Sequence, residues 1–262
     1  MNRQVLPLHY REYGESGHPP LLLLHGLFGN SGNWAGVVKQ LQADYRLILP
    51  DLRNHGRSPH HAEMDYCAMA GDLLALLDRL QLNSASLLGH SMGGKAAMWL
   101  ALTQPERVER LLVADIAPVG YENRFQQIFQ GLQTLSLQQL SGRESADRQL
   151  TPWVASGSVR QYLLQNLVKQ QNGWQWRFSL PVLKRSIETL TGFPAAEGRS
   201  FAGEVMFLYG ERSDYVKAEY RQVIERLFPL ARLRMLPGAG HWLYAEQPEA
   251  FSRAVKAFLK QR

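Results

Sequence analysis

The chain has 262 residues, 45% of them hydrophobic, with a single cysteine and a formal net charge of +6. That length suits one large core with an inserted segment, and one cysteine excludes a disulfide framework. The basic residues (Arg53, Arg57, Arg107, Arg110, Lys169, Arg185, Arg199, Arg226, Arg262) are scattered rather than gathered in a stripe or tail, which argues against nucleic-acid binding.

The opening Met1-Asn2-Arg3-Gln4 carries no signal-peptide pattern, and no apolar run is long enough to span a membrane, so a cytoplasmic location is expected. Residues 6–13 alternate well enough for an antiparallel strand, ended by Gly14, Gly17 and Pro19-Pro20. Residues 21–24 are wholly apolar, the pattern of a strand buried on both faces. They end in His25-Gly26-Leu27-Phe28-Gly29-Asn30, and a helix is expected over 34–41. Residues 46–49 form the next buried strand, followed by Pro50-Asp51-Leu52-Arg53-Asn54-His55-Gly56-Arg57-Ser58. Over 66–80, Met69, Leu73, Leu76, Leu77 and Leu80 share one helical face, and Cys67 within that pattern reads as a core residue.

Residues 84–88 predict another strand, then Gly89-His90-Ser91-Met92-Gly93, then a helix over 92–103. Strand, Gly-x-Ser-x-Gly and helix in that order make a nucleophile elbow, a turn tight enough to lift the serine hydroxyl clear of the sheet. Residues 108–114 read as another strand, apolar from Leu111 onward, that ends in Asp115. The alternation of strand and helix implies a parallel sheet, whose ligands bind beyond the carboxyl ends of the strands. His25–Phe28, Asp51, Ser91 and Asp115 all fall at such ends.

The rhythm changes over 118–199, where amphipathic helices are expected at 125–137, 159–168 and 181–190, with 174–178 read as an extended piece outside them. It resumes with a strand at 205–209, a helix at 220–228, a strand at 231–236 and a helix at 248–259. The expected division is an α/β core of residues 1–117 and 200–262 and a helical cap of 118–199, inserted rather than independent.

A serine hydroxyl needs a base to take its proton, and the base needs a third group to hold its tautomer. Of the eight histidines, His241 in Gly240-His241-Trp242 follows the last strand and stands after Ser91 in the chain order this arrangement requires. His25 is expected to brace its glycine loop. His60-His61 has no further ligand at metal spacing, so no metal is expected, and no phosphate-binding loop suggests a cofactor. The oxyanion donors expected from position are the backbone N–H groups of Met92 and Leu27, with Phe28 as neighbour to Leu27. Three acids end strands or follow them: Asp51, Asp115 and Asp214.

Together, His25-Gly26-Leu27-Phe28-Gly29, Asp51-x-Arg53-Asn54-His55-Gly56-x-Ser58, Gly89-His90-Ser91-Met92-Gly93-Gly94-Lys95, Asp115-Ile116-Ala117-Pro118 and Gly240-His241-Trp242 resemble α/β-hydrolase-fold serine esterases of the YbfF type. The cap segment Val159-Arg160-Gln161-Tyr162-Leu163-Leu164-Gln165-Asn166-Leu167 and Trp176-Arg177 resemble that group too. The resemblance implies an α/β-hydrolase fold, with a mostly parallel eight-stranded sheet and a helical cap after the sixth strand. It implies hydrolysis of short- to medium-chain acyl esters, with acyl-CoA thioesters as an extension. In most relatives the acid stands three residues beyond a glycine after the next-to-last strand; here that position is Ser213, and the resemblance places the acid at Asp115, with Asp214 second. Asp51 suits the shaping of its own loop. Phe28, Trp242, Trp153, Phe129 and Leu163 are the expected pocket residues. The rival chemistries are carbon–carbon bond hydrolysis or a menaquinone-pathway-like elimination by the same triad, for which Arg124 or Arg177 would bind a substrate carboxylate. A rival of another class is a receptor on the same scaffold.

Overall fold

The computed structural model describes residues 4–171 and 173–260; Met1, Asn2, Arg3 and Arg262 of the readings above lie outside them. The chain runs through β1 (Tyr10–Tyr13), β2 (Pro20–Leu24), α1 (Ala35–Leu41), β3 (Arg46–Pro50), α2 (Tyr66–Arg79), β4 (Ala85–His90), α3 (Met92–Thr103) and β5 (Val108–Ala114). The insertion follows, with α4 (Gln126–Thr134), α5 (Arg143–Leu150), α6 (Gly157–Leu164), β6 (Leu167–Gln170), β7 (Gly173–Trp176), α7 (Leu180–Arg185) and α8 (Ile187–Thr191). The chain returns through β8 (Glu204–Gly210), α9 (Arg221–Leu227), β9 (Ala231–Leu236), α10 (Leu243–Glu246) and α11 (Pro248–Leu259).

Among the described residues the main sheet has seven strands in the order β1-β3-β2-β4-β5-β8-β9, parallel except for β1, which pairs antiparallel with β3. This corrects the expected eight strands, and the insertion follows the fifth strand rather than the sixth. The segment read as a strand from residue 6 pairs only from Tyr10 onward. Before that its amides go to side chains: Leu6 N–H donates to Asp72 Oδ1 (2.7 Å) and His9 N–H to Ser58 Oγ (2.9 Å).

The wholly apolar strands are explained by helices on both faces of the sheet. Leu22 and Leu24 pack with Leu87, Val113 and Phe207 toward α2 and α3. Leu21 and Leu23 alternate to the other face, where Leu88, Leu112 and Leu208 meet α1 and α11 through Val37, Leu41, Phe251, Val255 and Phe258. The apolar residues of the insertion, among them Phe129, Leu132, Leu163 and Leu183, join the first of these clusters without a break.

The insertion is not all-helical, which corrects that expectation. β6 and β7 form an antiparallel hairpin, pairing Leu167 with Trp176 and Val168 with Gln175. Leu163, Leu164, Leu167 and Val168 keep helical spacing in sequence, but α6 stops at Leu164.

Lys95, on the helix that follows the elbow, fastens both stems of the insertion. Its buried ammonium donates to the carbonyls of Val119 (2.8 Å), Thr191 (2.7 Å) and Gly192 (2.6 Å). Burial pulls its pKa down to about 7, while three carbonyl acceptors favour the charged form.

Candidate active site

The elbow stands where β4 ends at the centre of the sheet. Ser91 has φ 51° and ψ −117°, a conformation an L-residue avoids at a cost of about 1–3 kcal/mol. The neighbouring positions show why only glycine fits there: a Cβ on Gly89 would lie 2.3 Å from Gly93 O, and one on Gly93 would lie 2.4 Å from Leu24 O. Ser91 N–H donates to Ala114 O (3.0 Å), tying the turn to the neighbouring strand.

Asp115 follows that strand with φ 53° and is completely buried. Its Oδ2 accepts from His241 Nδ1 at 2.7 Å and from the Ser213 hydroxyl, and its Oδ1 accepts from Gly210 N–H at 3.0 Å. Asp214 turns outward and pairs with Arg124 at 2.6 Å, both half exposed. The structure therefore brings Asp115 to His241 and sends Asp214 to the surface. The arginine partner holds the Asp214 carboxyl below its usual range.

His241 is held by groups the sequence did not single out. The Tyr215 ring stacks on it, with centroids 4.1 Å apart and planes 25° from parallel. His90 Nε2 donates to the His241 carbonyl (2.9 Å), so the residue beside the serine steadies the histidine loop. Burial pushes the His90 pKa well down, which keeps it neutral beside a second imidazole. The signal available was position alone: Tyr215 follows the strand end, and His90 is the variable residue of the elbow.

Asp51 shapes its loop, accepting from Ser31 N–H (2.6 Å) and Arg57 N–H (2.9 Å). Arg53 in that loop is fully buried and grips Asp72 through two bonds of 2.7 and 2.8 Å. His25 Nδ1 bonds to Gly26 O (2.8 Å) and its Nε2 accepts from Leu52 N–H (3.0 Å), the bracing role read from the sequence.

Three consecutive peptide units of the loop after β2 can be accounted for group by group. Gly26 O accepts from His25 Nδ1 and from Gly29 N–H (2.9 Å). Leu27 O accepts from Tyr162 Oη (3.1 Å), and Phe28 N–H donates to His55 Nε2 (3.2 Å). Phe28 O accepts from Asn166 Nδ2 (2.6 Å). Among the described residues the sixth polar group, Leu27 N–H, donates to none. Phe28 N–H is thus committed to His55, while the amide of Leu27, the donor expected from position, is not taken up in this way.

His55 must accept from Phe28, so its proton sits on Nδ1, which bonds to Arg53 O at 2.9 Å. Burial lowers its pKa to about 3. The unfolded imidazole titrates near 6.5, so folding stability is whole above that pH and is lost as pH falls toward 3. From pH 7 to pH 5 this one histidine should cost about 2 kcal/mol. Urea midpoints at the two pH values should show that loss on top of contributions of the same sign from His25 and His90, and His55→Gln should shrink it by about 2 kcal/mol. An unchanged difference in the variant would disprove the assignment.

Two cavities meet at Ser91. One, of about 180 Å³, is mostly apolar and is walled by Phe28, Ile128, Val159, Leu163, His241 and Trp242. The other, of about 220 Å³, runs past Met92 toward Lys95, Tyr121, Leu190 and Tyr220. Leu27, Phe125, Arg124 and Tyr215 border both. Of the expected pocket residues, Phe28, Leu163 and Trp242 reach a cavity. Phe129 and Trp153, expected in the pocket, border neither of these two cavities. Phe129 packs edge-on behind the Phe28 ring at 5.5 Å, and Trp153 lies over Gly131 within the insertion.

The parallel sheet, the strained serine between β4 and α3 and the histidine loop after the last strand define the α/β-hydrolase class, and a family model for the alpha/beta hydrolase fold matches residues 19–248. The chain belongs to that family. It is 38% identical over 266 residues to the sn-1-specific diacylglycerol lipase ABHD11 of Xenopus laevis, covering 98% of this chain and 85% of that one. It is 36% identical over 246 residues to Esterase YbfF of Escherichia coli, covering 94% of both, which bears out the resemblance read from the motifs. A solved structure described as a marine microorganism esterase superposes with a TM-score of 0.94 at 34% identity, over 97% of this chain and 99% of that one.

Proposed function

We propose that this protein is a carboxylic ester hydrolase acting through an acyl-enzyme on Ser91, with His241 as base and Asp115 as the acid that orients it. The observation that carries this reading is the 2.7 Å bond between His241 Nδ1 and Asp115 Oδ2, made where His241 and Ser91 border one cavity. With Nδ1 protonated and held by the carboxylate, His241 Nε2 is the free base. It takes the Ser91 proton as Oγ attacks the acyl carbon, then gives that proton to the leaving alcohol. Water repeats the sequence on the acyl-enzyme.

The developing oxyanion takes the N–H of Met92, at the start of α3 where helix amides lack intrahelical partners, and the N–H of Leu27. The names of the relatives support an ester as substrate. The apolar cavity supports a short- to medium-chain acyl group, with the more polar cavity left for the other half of the substrate.

A serine-directed phosphonate followed by peptide mass spectrometry tests the reading: Ser91 should carry the label, and a protein left unlabelled would refute it. Rates on p-nitrophenyl esters of increasing chain length, beside acyl-CoA thioesters, then rank the acyl groups.

A further inference from the structure

The loop that carries Leu27 is not held by the core alone. Two of the five bonds that fix its peptide units come from the insertion, from Tyr162 on α6 and from Asn166 just beyond the end of that helix. Asn166 is fully buried, and its amide is satisfied on both sides, donating to Phe28 O and accepting from Asn30 Nδ2 at 2.8 Å. A buried amide is costly unless bonded, and an apolar side chain would fill the same space more cheaply. The approach is close on the core side too: a Cβ on Gly29 would lie 2.6 Å from Tyr162 Oη, 2.8 Å from Asn33 Oδ1 and 2.9 Å from Gly26 O. Phe28 itself is held at φ 60°, with its ring among Phe125, Phe129 and Phe178 of the insertion.

We infer that α6 is a positioning element for the oxyanion loop. Tyr162 and Asn166 fix the Leu27 and Phe28 carbonyls, so that the Leu27 amide is aimed at the Ser91 adduct only while the insertion is seated. The inference rests on the serine esterase reading and on Leu27 N–H as an oxyanion donor. Its physical basis is that a peptide unit pinned at one end still rotates. The Leu27 N–H belongs to the first unit, held only at its Gly26 carbonyl; His55 Nε2 and Gly26 O hold the N–H ends of the second and third units beside it, and the insertion holds their carbonyl ends. Withdrawing α6 would leave the substrate cavity open and the donor unaimed together, so cap closure and catalytic competence become one event.

The test uses Tyr162→Phe and Asn166→Asp in the intact enzyme, with a p-nitrophenyl ester as substrate. A trifluoromethyl ketone reports on the hole: Ser91 Oγ bonds to its carbonyl carbon, the serine proton passes to His241 and the ketone oxygen becomes the anion. A non-reacting ether of the same shape reports on ground-state binding. Each variant should lower kcat by about tenfold, as small misplacements of reacting groups do, with KM held within about twofold. Ketone inhibition should weaken by the same factor as kcat/KM while ether binding stays unchanged. A packing role predicts a lower Tm and weaker ether binding with no selective loss toward the ketone, and that result in Tyr162→Phe, the milder change, overturns the inference. So does an unchanged kcat in both variants. A wild-type enzyme whose Ser91 resists the phosphonate instead overturns the esterase reading on which the inference stands.

Discussion

Asp115→Asn is expected to lower kcat by about 10³–10⁴-fold with little change in KM, because it leaves the base in the wrong tautomer. The Gly210 amide is a fixed donor at Oδ1, so the asparagine oxygen must stay there to accept it. The new NH2 then faces His241 Nδ1, which becomes an acceptor, and the histidine proton moves to Nε2. A histidine protonated at Nε2 takes no proton from serine. Asp214→Asn removes only a half-exposed pair with Arg124; such pairs contribute about 0–1 kcal/mol, and activity should stay within about twofold. Steady-state kinetics on one ester decides the matter, and the reverse ranking would move the acid to Asp214. Ser213 stands three residues beyond Gly210, and its hydroxyl donates to the Asp115 carboxylate. The carboxylate itself sits on the neighbouring strand end, with its oxygens aimed at the same histidine.

Arg53→Met should destabilise the fold by about 3–5 kcal/mol, the range for stripping the partner from a buried charge. Asp72 would keep Leu6 N–H as a donor but lose both guanidinium bonds. Burial already raises the Asp72 pKa, the guanidinium opposing that rise, so the orphaned carboxylate should take up a proton on folding. The double variant Arg53→Met, Asp72→Leu should recover much of the loss, since an apolar pair of similar volume often matches a buried ion pair. Urea unfolding of the three proteins checks this. A single variant as stable as the wild type would show that Arg53 does not stabilise the buried carboxylate. The effect extends to the active site because Arg53 O is the acceptor that sets the His55 tautomer, and His55 holds Phe28 N–H.

Much of the architecture was legible because burial on two faces leaves a plain trace. Residues 21–24 and 111–114 are apolar without alternation, and both lie in central parallel strands. The elements that escaped lack such a trace. α5 is Arg-Glu-Ser-Ala-Asp-Arg-Gln-Leu, with only Ala146 and Leu150 buried, so its sequence carries almost no apolar period. β7 falls in the stretch 174–178 read as extended, but its partner β6 was hidden because Leu167 and Val168 continue the spacing of α6.

Ser91, His241 and the core loops were readable for a different reason. Their chemistry demands particular residue types at strand ends, and strand order follows from the chain itself. Which aromatics face the cavity depends on the rotation of short cap helices, and this is why Phe129 and Trp153 turned out to pack behind it. The sequence by itself determined a hydrolase sheet with a serine elbow and a late histidine, since local pattern and spacing suffice for both. Only the tertiary structure decided that His241 meets Asp115 and not Asp214, and that Leu27 rather than Phe28 keeps its amide free. Both depend on the direction of single side chains and peptide units, which contacts from residues tens to more than a hundred positions away impose.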